Sequence, residues 1–134
     1  MRIMLDTNVL ISIIIFNSNT LKDMLIEICD KNTLVLSSYI IEELEDVIER
    51  KFPNKREYLD RFLFKLPYEL EFIPETILNE NIFKIRDVKD VPVLHSAIIS
   101  DVDILITGDK DFENIDIEKP ENLTPTEYIE NYIK

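Results

Sequence analysis

Four carboxylates dominate the chemistry this chain can offer: Asp6, Glu43, Asp109 and Asp111. They are far apart in sequence, yet each stands at or soon after the point where an apolar run gives way to polar residues. Arg2-Ile3-Met4-Leu5 ends at Asp6, Thr33 to Ser37 leads on to Glu43, and Ile104-Leu105-Ile106-Thr107 precedes Gly108, Asp109 and Asp111. Carboxylates held a few ångströms apart raise one another's pKa, so a converging set shares protons or binds a cation. Oxygen donors without histidine or cysteine suit a hard divalent ion, Mg²⁺ or Mn²⁺, and disfavour zinc. Such an ion lowers the pKa of a bound water, aligns it with a phosphodiester and neutralises charge on the leaving oxygen. Phosphodiester hydrolysis is the reaction these residue types point to.

Positions so scattered meet only if the intervening elements bring them together. Arg2 to Leu5 and Thr33 to Ser37 are short, apolar and unalternating, the pattern of strands buried on both faces, and Asp6-Thr7-Asn8 reads as a turn after the first. Between them Leu21, Met24, Leu25 and Ile28 recur at helical spacing, with Thr20 and Asp23 placed as a capping box and an end near Lys31. Ile40, Ile41, Leu44, Val47 and Ile48 give the next helix its apolar face, and Pro53 stops it. Asn54 and Glu57 signal a further start, with Tyr58, Leu59, Phe62, Leu63 and Leu66 as its inner face. Glu69 to Ile73 reads as a third strand, and Ile77 to Ile85 as a short helix. Asp90 is placed to cap a helix carrying Val91, Leu94, Ala97 and Ile98, and Asp103 to Thr107 forms a strand that Gly108 turns. Leu123 marks an edge strand, and Thr124, Pro125 and Glu127 supply N-cap, first-turn proline and capping-box acid for a last helix. Alternating strands and helices imply an α/β fold with a mostly parallel sheet of about four to five strands, whose functional groups gather at the carboxyl ends. That end is where Asp6, Glu43, Asp109 and Asp111 fall.

Leu5-Asp6-Thr7-Asn8-Val9-Leu10, followed much later by Ile106-Thr107-Gly108-Asp109-Lys110-Asp111-Phe112, resembles the PIN domain family in both content and order. Ser37 to Val47, with Glu43-Leu44, resembles the family's strand-to-helix segment. Asp87-Val88-Lys89-Asp90-Val91-Pro92 resembles its third acidic block, with the acid placed at Asp90. The resemblance covers nearly the whole chain. It implies a three-layer, metal-dependent nuclease fold acting on RNA, with VapC-like toxins among its members. Carried over residue by residue, it makes Asp6, Glu43, Asp90 and Asp109 the catalytic and metal-binding core, holding Mg²⁺ or Mn²⁺, with Asp111 as a fifth carboxylate. Asn8 and Thr107 become polar neighbours that orient ligands or water. It also implies an antitoxin partner and a homodimer. The spelling Thr-Gly-Asp-Lys-Asp-Phe looks closer to the putative-toxin branch of toxin–antitoxin PIN proteins than to small VapC toxins.

Each residue also has a plainer reading. Asp6 and Asp90 could simply cap helices, Asp109 and Asp111 could be turn residues, and Glu43 lies among Glu42, Glu45 and Asp46 as a solvated helix residue would. Glu42 is a rival to Glu43, and Asp87 to Asp90, while Asp103 reads as a structural strand-entry residue. His95, the only histidine, reads as a packing or surface residue, and Cys29 as a buried core thiol. One glycine cannot build a phosphate cradle. An aspartyl-phosphate enzyme using Asp6 as nucleophile is weakened by Asn8, where such enzymes carry a second acid. A catalytically idle PIN scaffold is the other alternative.

Composition bounds the rest. At 134 residues and 46% hydrophobic content, one domain spanning 1–134 with a sizeable core is expected. The longest apolar runs fall far short of a bilayer span and no leader pattern is present, so a soluble, cytoplasmic protein is expected. A net charge of -12, from 27 acidic and 15 basic residues, is the reverse of a nucleic-acid-binding module's footprint. It is compatible with an enzyme whose acids are offset by bound metal. Arg50, Lys51, Lys55, Arg56, Arg61 and Lys65 are the candidate contacts for RNA phosphates, or else a solvated face balanced by Glu49, Glu57 and Asp60.

Overall fold

The computed structural model describes residues 1–78, 91–109 and 118–133. Strands β1 (Arg2–Leu5), β2 (Thr33–Ser37), β3 (Tyr68–Glu71), β4 (Ile104–Ile106) and β5 (Glu121–Leu123) form one sheet in the order β3-β2-β1-β4-β5. Every pairing is parallel, with Ile3 beside Leu34 and Ile104, and Ile106 beside Leu123. Ile3, Met4, Leu5, Leu34, Val35, Leu36, Ile104, Leu105 and Ile106 are all buried. Unbroken apolar runs are what a sheet covered on both faces demands, and each such side chain contributes roughly 1.5–3 kcal/mol. The tracing moves outward from β1 through β2 to β3 and then returns to place β4 on the other side of β1. The strand order therefore reverses between β1 and β4, and ligands of open α/β sheets bind outside the carboxyl ends at such a point.

Helices α1 (Thr7–Ile14) and α2 (Asn19–Lys31) join β1 to β2, and α3 (Ser38–Lys51) with α4 (Arg56–Lys65) joins β2 to β3. Helix α5 (Glu75–Leu78) follows β3, α6 (Val91–Ile99) precedes β4, and α7 (Pro125–Tyr128) continues into a π-helical turn, 129–133. Among the described residues no single helix is long and apolar enough to cross a membrane.

Several local expectations need correction. The expected turn after β1 is instead the start of α1, with Asp6 as N-cap, because Val9, Leu10, Ile13 and Ile14 bury as one helical face. Helix α2 is capped by Ser18 through the Leu21 N–H, not by Thr20, so it starts earlier than the apolar spacing implied. Asn54 caps nothing: Pro53–Lys55 is a 3-10 turn, and α4 starts at Arg56 without a side-chain cap. In α4 only Leu59 is fully buried, and Tyr58 is exposed, since this helix lies at the rim of the core. Strand β3 runs over Tyr68–Glu71 rather than 69–73, and it is a half-exposed edge. The expected helix over 77–85 overlaps α5 only at its start, and the remainder lies outside the described residues, as do Asp87 and Asp90. The capping box at Thr124 and Glu127 is present as expected.

Left-handed backbone falls on Asn17 and Asp101, residue types that tolerate it, at the ends of α1 and α6. Gly108 has no positive φ, and a Cβ there would meet nothing within 4 Å. The turn after β4 therefore does not require glycine.

Candidate metal centre

Asp6 occupies the reversal point of the sheet. Its N–H donates to Ile106 O at 2.9 Å, which ties the carboxyl end of β1 to that of β4. The side chain is only 2% exposed, and both its oxygens accept hydrogen bonds from neutral donors. Oδ1 takes the Thr7 N–H at 2.6 Å and Oδ2 the Thr107 hydroxyl at 2.8 Å. Thr107 Oγ1 also accepts the Asp109 N–H at 3.0 Å, while the Thr107 N–H donates to Leu123 O at 2.9 Å. One hydroxyl thus holds the buried carboxylate and the backbone of the next acid together. Thr7 Oγ1, also buried, makes no hydrogen bond among the described residues.

Burial pushes the Asp6 pKa up, hydrogen bonds from Thr107 and Thr7 oppose the rise, and the charges of Glu43 and Asp109 add to it. Asp109 is tied to Asp6 through Thr107, and Glu43 is near enough for its charge to act on Asp6. Glu43 lies on the second turn of α3, a helix seated by buried Ile40, Leu44 and Ile48 and capped by Ser37 Oγ on the Ile40 N–H at 3.2 Å. Ser96 Oγ of α6 donates to that same Ser37 Oγ at 2.9 Å, linking the helix after the third acidic block to the helix carrying Glu43. The Tyr39 hydroxyl donates to Glu43 Oε2 at 2.9 Å. Sequence reasoning missed Tyr39, although its spacing of one helical turn before Glu43 was a readable signal.

Asp90 and Asp111 lie outside the described residues. Among the described residues no group of three or more Asp, Glu, His or Cys side chains is close enough together to hold a metal ion. The donor set still fits a hard cation. Among the described residues its buried member has no cationic hydrogen-bond partner, its charged neighbours are acids, and Mg²⁺ commonly takes one or two carboxylates with water filling the remainder. Asn8 is exposed, and among the described residues its side chain bonds none of the acids.

The basic candidates do not form one free surface. The Arg56 guanidinium is bound by Glu45 at 2.7 Å, Asp60 at 3.0 Å and Glu49, clamping α4 to α3. Arg50 pairs with Asp46 at 3.1 Å, and Lys55 lies 6.0 Å over the Tyr58 ring. Arg61 and Lys65 line an apolar groove of about 570 Å³ between the later parts of α2 and α4, which ends at Pro67 just before β3. That groove belongs to the amino end of the sheet, away from Asp6. Lys51 is exposed on α3. His95 is fully buried in α6, which is the packing reading, whereas Cys29 is half-buried at the groove rather than in the core.

Comparison with solved structures finds the crystal structure of VapBC2 from Rickettsia felis bound to a DNA fragment from their promoter, at 22% identity and a TM-score of 0.70. The match covers 92% of this chain and 97% of that one, and shows a shared fold. No curated protein matches. A family model described as PIN domain matches residues 2–111, from the first residue of β1 through Asp111. By that match across most of its length, the chain belongs to the PIN domain family.

Proposed function

We propose that the protein is a metal-dependent endoribonuclease that hydrolyses RNA phosphodiester bonds at the carboxyl end of its sheet. The observation that carries this reading is Asp6: a buried carboxylate at the strand-order reversal, bonded only to neutral donors, with its pKa raised by burial and two further acids. Asp6, Glu43 and Asp109, with Asp90 and Asp111, would hold Mg²⁺ or Mn²⁺. The ion, when bound, supplies Lewis acidity and a water of lowered pKa. Thr107 keeps Asp6 Oδ2 oriented and ties the Asp109 backbone to it. Tyr39 restrains Glu43, leaving its other oxygen available. Arg50, paired with Asp46, and Lys51, both in the last turn of the helix that carries Glu43, remain the basic candidates for the RNA backbone, since Arg56 is held by three acids and Arg61 and Lys65 line the groove.

Family membership and the likeness to the VapBC2 structure support a toxin of a toxin–antitoxin pair, with an antitoxin as protein partner. The test is incubation with end-labelled single-stranded RNA in Mn²⁺, Mg²⁺ or EDTA, with Asp6→Asn alongside. Cleavage that needs both metal and Asp6 is expected, and equal cleavage by the variant would indict a contaminant. A catalytically idle scaffold is the second reading, favoured by the lack of a closed three-acid group among the described residues. No cleavage of a panel of RNAs in either metal would select it.

A further inference from the structure

A cavity of about 490 Å³ adjoins the candidate centre and shares Glu43 with it. Its other walls include Tyr39, Glu42 and Asp46 of α3, with Phe72 and Glu75 from the segment after β3. We propose that this cavity receives a nucleobase beside the scissile phosphate and selects bases with amino donors, guanine foremost, over uracil. The proposal rests on the ribonuclease reading above and adds a base-recognition site to it.

Two independent features point to a base. Phe72 is 74% exposed, an unusual place for a phenyl ring, and it stacks on no other aromatic ring among the described residues. Proteins that read single-stranded RNA splay its bases onto exposed aromatic rings of this kind. The polar wall then decides which base fits. Glu42, Asp46 and Glu75 are acceptor-only groups when ionised, so they repel phosphate and carbonyl oxygens and welcome N–H donors. Guanine offers adjacent N1–H and N2–H donors that match the two oxygens of one carboxylate. Cytosine and adenine offer a single amino group, and uracil presents one N–H between two carbonyls. Because Glu43 belongs to both sites, a base seated here comes from a nucleotide bordering the phosphate held near Asp6. Arg50, paired to Asp46 in an exposed and therefore weak ion pair, supplies positive charge for the backbone beside these acids.

The test measures binding of fluorescein-labelled UUGUU and UUUUU RNAs to the wild-type protein by anisotropy in Ca²⁺, with the RNA checked for integrity afterwards. UUGUU should bind about tenfold more tightly, and Phe72→Ala should weaken UUGUU binding about tenfold, since one stacked base is worth about that much. Phe72 is exposed, so its loss leaves the fold intact, and circular dichroism verifies this. Glu75→Gln, which adds a donor, should narrow the gap by improving UUUUU binding. Equal affinities for the two RNAs, or a UUGUU affinity that Phe72→Ala leaves unchanged, would overturn the proposal. So would failure of both RNAs to bind while N-acetylarginine amide shifts the Phe72 ring resonances, which would make the cavity a cation site. Base discrimination without any metal-dependent cleavage would sink the nuclease reading alone. Cleavage without discrimination would sink the base site alone.

Discussion

The two ends of the sheet treat the same residue type in opposite ways. At the amino end Asp103 accepts the Arg2 N–H at 2.8 Å and pairs with Lys119 at 3.2 Å, and these partners, the Arg2 bond foremost, hold its carboxyl below the usual range. The Arg2 side chain there reaches Glu69 at 2.6 Å, Glu71 at 3.0 Å and Ser100 O at 2.9 Å, so one cation ties β1 to β3 and to the end of α6. At the carboxyl end Asp6 is far more deeply buried, bonds only neutral donors and has its pKa raised. An acid that serves the fold is supplied with a cation by the chain. The acid left without one among the described residues, in the place where binding groups of such sheets gather, is the candidate for the centre.

Exchanging these two aspartates separates their roles most sharply. Asp6→Asn should lower metal-dependent RNA cleavage by more than about 100-fold, while its Tm in EDTA stays equal or rises, because a neutral amide carries no burial penalty for charge. A clear fall in Tm would make Asp6 a structural acid like Asp103. The next largest effect is that of metal itself. At about 100 times its Kd, Mn²⁺ should stabilise the wild type by about 2.7 kcal/mol in thermal melts, and this gain should vanish in Asp6→Asn. An equal gain in both proteins would place the ion elsewhere.

Tyr39→Phe tests the support of the centre from α3. Loss of the bond to Glu43 should weaken Mn²⁺ binding or cleavage about 10-fold, with Tm in EDTA little changed. An unchanged titration by calorimetry would remove Tyr39 from the centre.

Asp103→Asn should leave cleavage intact and cost less than about 1 kcal/mol, since the pair with Lys119 is exposed. Because the folded-state pKa of Asp103 lies below its unfolded value, its contribution is present above the unfolded value and is lost as pH falls through the folded one. The difference between wild type and Asp103→Asn should therefore be largest at neutral pH and close toward pH 3, as read from urea midpoints. Smallest of all, Gly108→Ala should shift stability by less than about 0.5 kcal/mol, for nothing there excludes a Cβ. A larger loss would show that the turn beside Asp109 needs glycine after all.

Much of this was legible in the residues. Parallel strands announced themselves at Ile3 to Leu5 and at Leu34 to Leu36, because a run buried on both faces has no polar alternation. The last helix did so through the Thr124 capping box, which is a purely local device. The same locality explains the misses. Asn54 and Glu57 have the spacing of a cap, but Arg56, held by Glu45, Glu49 and Asp60, fixes where α4 begins through contacts with α3. The basic cluster looked like one surface in sequence, and packing divided it between an ion-pair clamp and a groove at the far end of the sheet.

By itself the sequence determined most element types, the family and the candidate acids, since periodicity, caps and short motifs are written in neighbouring residues; helix α1, read as a turn, is the exception. Only the tertiary structure decided which acids keep a cation, that Thr107 bridges Asp6 to the Asp109 backbone, and that Tyr39 and Phe72 stand beside Glu43. Those facts depend on contacts between segments as far as 101 residues apart, set by strand order and by burial. Apart from the one-turn spacing of Tyr39 and Glu43, no local pattern encodes them.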